Sequence, residues 1–174
     1  MKKLVFICGP NGIGKTTISK HILCKISGSA YVDSDTLRMI NPNVLDDRTI
    51  PTISANISCI IRNYLMCSAV KNVFFTYGFH GRRREVFEMV INSLEDLEYE
   101  FCPLLLECEE SENIRRMKCD CRDEERIRRG MDISRKAFDD VNYPRLDITF
   151  LSAEKSAEII IEKFNLTGGF YERN

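Results

Sequence analysis

The sequence has no apolar run that approaches the roughly 20 residues needed to span a bilayer. The N-terminal stretch Leu4–Cys8 is broken at once by Gly9, Pro10, Asn11 and Gly12, whereas an export signal needs an apolar core of roughly 7–15 residues. No small-residue cleavage pattern follows. The expectation is a cytoplasmic protein. An excess of charge of one sign is also lacking. The 25 Lys and Arg against 26 Asp and Glu leave a net charge of −1, so no overall field draws the chain to nucleic acid or to a membrane. Internal repeats are missing, as is any linker rich in Gly or Ser. What is present suits a single domain over residues 1–174. The length allows a sizeable core, and hydrophobic residues make up 44%, too many for a disordered chain.

The eight cysteines show neither metal-ligand spacing nor a compact disulfide framework. Cys8, Cys24, Cys59, Cys67, Cys102 and Cys108 sit mostly inside apolar segments and read as buried, reduced thiols. Cys119 and Cys121 lie in a charged segment instead. A metal pair there lacks two further ligands nearby.

Strands alternate with helices along the chain. Leu4–Cys8 is short, apolar and bounded by glycine, so it reads as a buried strand, and Lys15–Lys25 follows as a helix with Ile18, Ile22 and Leu23 on one face. Ala30–Val32 is a second strand, ending in Asp33-Ser34-Asp35. Residues 36–53 are polar and carry Pro42 and Pro51, so they read as loop with at most a short helix. Ser54–Val70 has helical spacing, Asn72–Thr76 is a third strand, Arg83–Leu97 a helix and Phe101–Leu106 a fourth strand. Residues 107–132 are dense in both charge signs. Ser134–Val141 reads as a short helix, Asp147–Leu151 as a fifth strand and Ala153–Phe164 as a last helix before a ten-residue tail. This alternation predicts an α/β fold with a parallel sheet covered on both faces.

The strongest signal is Gly9-Pro-Asn-Gly-Ile-Gly-Lys-Thr16, a GxxxxGK[ST] phosphate loop between a strand and a helix. Glycines let the backbone curl until its N–H groups point at phosphate oxygens. The helix beginning near Lys15 adds the positive end of its dipole. Lys15 places a charge between the β and γ phosphates, and Thr16 offers a hydroxyl to Mg²⁺. The residues expected to hold ATP are therefore Gly9, Asn11, Gly12, Ile13, Gly14, Lys15, Thr16 and Thr17.

The chain carries neither the DxxG nor the NKxD of regulatory GTPases. Its third strand ends without the carboxylate of motor ATPases, and Glu107 at the end of the fourth is a weak substitute. These absences leave the small kinases. The loop, the Val32-Asp-Ser-Asp35 stretch, the arginine-rich segment and the closing residues 146–164 together resemble the small P-loop kinases, a group that includes shikimate, gluconate and nucleoside monophosphate kinases. The resemblance covers nearly the whole chain in order, and only the first motif is specific by itself. It implies the P-loop NTP hydrolase fold, a five-stranded parallel sheet in the order 2-3-1-4-5 sandwiched by helices, with a mobile arginine-rich lid and a helical acceptor-binding region.

Asp33 and Asp35 resemble the DxD of shikimate kinases. Alternate residues at a strand's C-terminal edge can face one crevice, so Asp33 is the expected Mg²⁺ partner of Thr16, and Asp35 is expected to orient or deprotonate the acceptor hydroxyl. The competing reading is a polar turn with Asp35 capping a short helix. Arg38 and Arg62 suit an anionic acceptor or are surface charges. Tyr77–Arg82, "YGFHGR", resembles the DGFPR of adenylate-kinase-like enzymes but departs from it twice. Tyr77 stands where the Asp belongs, and Arg82 comes one residue late. Gly78 still fits close approach to an acceptor, or a plain turn. His80 is a weak acid–base candidate.

The lid expected over 107–132 contains Arg115, Arg116, Arg122, Arg126, Arg128 and Arg129. Most suit a solvated helix with Glu112–Arg116 and Glu125–Arg129 pairs. Arg122 and Arg126 are the ones expected to stabilise the transferring phosphoryl group. Acids interleave with these bases, so RNA is not expected there. In the resembling kinases the loop matching Asn142–Asp147 packs near adenine; an ordinary turn at Pro144 is the alternative. The reading is an ATP- and Mg²⁺-dependent phosphotransferase. It catalyses with Lys15, Asp35, Arg122 and Arg126, acts on a small hydroxylated molecule in a pocket expected to be shaped by residues 36–70, and works as a monomer or homodimer. The alternatives are a nucleoside or nucleotide kinase and a non-catalytic ATP-binding protein.

Overall fold

The computed structural model describes residues 1–166 and 168. One sheet contains β1 (Lys2–Cys8), β2 (Ser29–Asp33), β3 (Asn72–Tyr77), β4 (Tyr99–Glu107) and β5 (Arg145–Asp147). Every pairing is parallel and the order is β2-β3-β1-β4-β5, as the resemblance implies. The helices are α1 (Lys15–Lys25), α2 (Ser34–Leu37), α3 (Ile50–Met66), α4 (Arg83–Asn92), α5 (Glu110–Cys119), α6 (Glu124–Arg129) and α7 (Ala153–Lys163).

The central strand shows why both faces are covered. Side chains alternate along a strand, and β1 is apolar at every position from Leu4 to Cys8. Leu4, Phe6 and Cys8 enter a core with Ile53, Ile57 and Ile61 of α3 and Val86, Phe87 and Val90 of α4. Val5 and Ile7 enter the opposite core with Ile18 and Ile22 of α1 and Ala157 and Ile160 of α7. The sheet register places Cys8 beside Tyr77 and Asp33 beside Thr76. The loops leaving β1, β2 and β3 therefore emerge together at the carboxyl edge, where ligands bind in open parallel sheets.

Several expectations are corrected. β5 covers Arg145–Asp147 rather than Asp147–Leu151. Asp147 Oδ1 accepts from Thr149 N at 2.8 Å and Thr149 Oγ1 at 2.5 Å, and this side-chain turn ends the strand. α3 begins at Ile50, with Pro51 in its first turn, where a missing N–H is harmless. α2 is the short helix that the sequence allowed here; it begins at Ser34 rather than Thr36 and is capped by Asp33, which accepts from Asp35 N. Asp33, not Asp35, is thus the cap. A π-helical turn (Gly130–Arg135) and a 3₁₀ turn (Lys136–Phe138) replace the helix expected from Ser134.

All eight cysteines are free, but only Cys8, Cys102 and Cys108 are buried; Cys24, Cys59 and Cys67 are exposed. Cys24 and Cys59 lie on the outer faces of α1 and α3, and Cys67 caps α3. Among the described residues no helix is long and apolar enough to cross a membrane. Most of the expected C-terminal tail lies outside the described residues.

Candidate active site

A cavity of about 460 Å³ opens at the carboxyl edge of the sheet. The loop from β1 to α1 forms its floor. Gly9, Gly12 and Gly14 have φ of +146°, +77° and +108°, a backbone that side chains rarely adopt. At Gly12 the approach is also close, since a Cβ would stand 2.2 Å from Met117 Cγ. Gly14 leads into α1, whose first residues Lys15, Thr16 and Thr17 carry no acid, so the free N–H groups of that turn suit an anion.

The loop is also held from outside. Asn113 Nδ2 donates to Asn11 O at 3.1 Å, Arg116 Nη1 to Ile13 O at 2.9 Å, and Asn11 N to Ser134 Oγ at 2.9 Å. Ile13 is itself buried; it positions the loop and does not line the cavity. Lys15 Nζ donates to Gly9 O at 2.8 Å and Pro10 O at 2.9 Å. Burial pushes its ammonium down to about 8, aided by Arg122 and Arg83 and opposed by the Cys8 and Asp35 sites.

The ends of β2 and β3 form one wall. Asp33, Ser34, Asp35 and Arg38 line it together with Thr76, Tyr77, Gly78 and His80. Ser34 Oγ donates to Thr76 O at 2.8 Å, tying α2 to β3. Arg38 Nη2 and Nε donate to Asp35 Oδ1 at 2.7 and 3.0 Å. Partial enclosure by the cavity wall works to raise the Asp35 pKa, but the hydrogen bonds and charge of Arg38, with help from Arg83 and Lys15, bring it below the ordinary value. Thr16 and Asp33 both line the cavity, and a hydroxyl with a carboxylate is the hard-oxygen donor set that suits Mg²⁺.

α4 contributes a residue that the sequence reading missed. Arg82 points away, paired with Asp47 at 2.6 Å and Glu85 at 2.9 Å. Arg83 lines the cavity, its guanidinium carbon 5.8 Å from the Tyr77 ring centroid. The run Arg82-Arg83-Arg84 was visible and the helix start at Arg83 was expected, but the motif comparison pointed to Arg82. Tyr31 was also missed: its hydroxyl lies 3.0 Å from Thr76 Oγ1, beneath the same wall.

Arg62 lies elsewhere. It pairs with Asp96 at 2.6 and 2.7 Å and donates to Ser93 O, joining α3 to the segment after α4. Of residues 36–70, Arg38 is the one that reaches this cavity. Glu107 pairs with Arg145 at 2.9 Å, also away from it.

The charged segment divides in two. α5 belongs to the packed body, with Asn113 and Met117 fully buried and Arg116 bound to Glu112 at 2.7 Å. Arg115 pairs with the same carboxylate. Beyond α5, Asp120, Arg122, Arg126 and Arg129 line the upper side of the cavity. Their ion pairs are loose, 3.4 Å for Arg122–Asp120, 3.5 Å for Arg126–Asp123 and 3.7 Å for Arg129–Glu125. Contacts of that length at the surface contribute little and exchange readily for a phosphate.

A second cavity of about 510 Å³ shares Gly12, Gly14, Thr17 and Asp120 with the first and is walled by α5 and residues 149–153. The Phe150 side chain there is 91% exposed. The loop beside it comes after β5, not before. Asn142–Asp147 instead supplies β5 and the Tyr143 ring, 6.2 Å from Phe6.

No family model matches the chain, and no curated protein matches it. Solved structures do. The tunicamycin resistance protein of Deinococcus radiodurans superposes with a TM-score of 0.69 over 99% of this chain and 100% of its own, at 16% identity. The Mycobacterium tuberculosis APS kinase, in complex with AMPPNP and APS, gives 0.67 over 95% and 98%, also at 16% identity. The Acinetobacter baumannii shikimate kinase, in complex with shikimate, gives 0.56 over 95% and 94% at 14% identity. The chain has the fold of the small P-loop kinases.

Proposed function

We propose that this chain is a phosphotransferase that moves the γ-phosphoryl group of ATP to a hydroxyl of a small polar molecule in the cytoplasm. One observation carries the reading: a single cavity gathers the phosphate loop, the Asp33/Asp35 pair and three loosely paired arginines. Each is a part that phosphoryl transfer needs, and transfer itself is mostly positioning and charge stabilisation.

The loop N–H groups and Lys15 hold the β and γ phosphates, Lys15 turning from Gly9 O and Pro10 O to do so. Thr16 and Asp33 would hold Mg²⁺, which would neutralise phosphate charge. Asp35 keeps Oδ2 free, because Arg38 uses Oδ1. Oδ2 accepts the acceptor's hydroxyl proton as its oxygen bonds to the γ-phosphorus and the bond to ADP breaks. Arg122, Arg126 and Arg129 close over the equatorial oxygens and exclude water. The base occupies the second cavity, where Phe150 offers a ring face and residues 149–153 offer backbone. Weak base discrimination follows from such a surface.

Screening ADP release with sugar acids, nucleosides, nucleotides and cyclic hydroxy acids tests this. The expected result is acceptor-dependent release. Release that needs a nucleoside monophosphate identifies a nucleotide kinase. AMPPNP binding without turnover on any acceptor favours the non-catalytic reading, to which Tyr77 in place of a carboxylate lends its support.

A further inference from the structure

We infer that Tyr31 is a positioning residue for the Thr16/Asp33 pair. Its hydroxyl takes up the Thr16 hydroxyl hydrogen and donates its own to Asp33, so that both side chains present oxygen lone pairs to a divalent cation. The inference rests on the phosphotransferase reading and deepens its metal site.

The fold brings three elements to the Tyr31 hydroxyl. Tyr31 lies on β2 two residues before Asp33, so both side chains leave the strand on the same face. The sheet register sets Asp33 beside Thr76 of β3. The Tyr31 hydroxyl is 3.0 Å from Thr76 Oγ1, and it interacts as well with the side chains of Thr16 and Asp33. Thr16, Asp33 and Thr76 line the cavity. Tyr31 is half-buried beneath them, packed at the margin of the core that α1 and α7 share.

A count of hydrogens fixes the direction of each bond. A carboxylate only accepts, while each hydroxyl has one hydrogen to give and lone pairs to receive. The Tyr31 hydrogen therefore belongs to Asp33, and the Thr16 and Thr76 hydroxyls donate to the Tyr31 oxygen. Every hydrogen of the group is then used without one turning toward the cavity. Asp33 Oδ1 also accepts from Asp35 N at 3.0 Å, which fixes the rotation of the carboxylate. β3 ends in Thr76 and Tyr77, so it brings no carboxylate that could take the Thr16 hydrogen instead. Ser34, the other hydroxyl on this wall, is engaged with Thr76 O. The Thr16 lone pairs thus face the cavity before any cation arrives. Outer hydrogen bonds that orient ligands in this way raise the affinity of a metal site.

Calorimetry of AMPPNP binding, in excess EDTA and in excess Mg²⁺, tests this with the wild type and Tyr31→Phe. The variant keeps the ring and its packing and removes only the hydroxyl. In EDTA the two proteins should bind AMPPNP alike. Mg²⁺ should strengthen binding to the wild type, and that gain should be about 10-fold smaller in Tyr31→Phe. An equal gain overturns the inference. So does an equal loss of affinity with and without Mg²⁺, which marks the hydroxyl as a brace of the phosphate loop alone. Wild-type binding that Mg²⁺ does not strengthen overturns the metal pair and the inference with it. In the wild type the Tyr31 ring resonances should move when Mg²⁺ joins the AMPPNP complex; resonances that stay fixed overturn the inference whether or not Tyr31→Phe folds. Failure of AMPPNP to bind contradicts the phosphotransferase reading instead. Mn²⁺ titrated into the nucleotide-free proteins and followed by electron paramagnetic resonance then decides: tighter binding by the wild type supports the role of Tyr31, and equal binding overturns it.

Discussion

Asp35 offers only one of its two oxygens to Arg38: Nη2 and Nε both converge on Oδ1, at 2.7 and 3.0 Å. The pair sits at the exit of β2, with the Asp35 side chain 71% exposed and that of Arg38 15% exposed. A carboxylate held this way is ionised, fixed in rotation and open at Oδ2. These properties suit a group that must receive a proton from a passing hydroxyl.

Asp35→Asn keeps the shape and removes the basicity. Turnover should fall by about 10²- to 10⁴-fold, while AMPPNP affinity, measured by calorimetry, should stay unchanged. Arg38→Met should let the Asp35 pKa rise toward its ordinary value. The acid limb of the kcat/KM profile should then move to higher pH.

Met117 is wedged between the phosphate loop and the base of the arginine segment. It fills the space beside Gly12, and a Cβ on Gly130 would lie 2.7 Å from Met117 Cε. Met117→Ala should cost about 2–5 kcal/mol in urea unfolding. Gly12→Ala faces both the clash and a left-handed φ, so nucleotide binding should be lost even where the fold survives.

The Lys15 ammonium, lowered to about 8 from 10.5, gives a defined pH dependence. Between these values the unfolded chain binds the extra proton, so the ligand-free fold gains stability as pH rises through that window. Bound phosphates favour the charged form and reverse the preference. AMPPNP affinity should therefore fall above about pH 8. Calorimetry in two buffers of different ionisation enthalpy at about pH 9 should show proton uptake, absent in Lys15→Met.

His80 behaves in the opposite range. Burial, reinforced by Arg83, Lys15 and Arg38 against Asp35, lowers it to about 4 from 6.5. The fold holds it neutral while the unfolded chain takes a proton, so stability is lost as pH falls from 6.5 through 4. His80→Gln should lose less stability than wild type across that interval, as read from urea midpoints.

The sequence made the sheet legible because β1 to β4 are short apolar runs with glycine or polar residues at their ends, and because GxxxxGKT fixes the strand–helix junction. It also made Asp33, Asp35, Arg122 and Arg126 legible as candidates, since a carboxylate pair at a strand end and arginines after β4 have a chemical logic. Arg83 was not legible. The helix was expected to start at Arg83, where it does, but the motif comparison pointed to Arg82, and spacing does not say which of three consecutive arginines enters the cavity. Arg62 misled for a related reason: helical spacing gives its face but not its partner, Asp96, which lies 34 residues away in the sequence. α3 was placed late because Pro51 signals a break as readily as a first turn. The strand expected at Asp147–Leu151 failed because the Asp147 side chain competes with the ladder, a local hydrogen bond that hydrophobic pattern does not reveal.

The central claim is transfer of a phosphoryl group to a hydroxyl guided by Asp35. Its direct test is incubation with ATP labelled in the γ-phosphoryl group and the acceptor panel, followed by separation of products. The account predicts label on a hydroxylated acceptor with the wild type and none with Asp35→Asn. Label found only in inorganic phosphate, or equal transfer by Asp35→Asn, would contradict it.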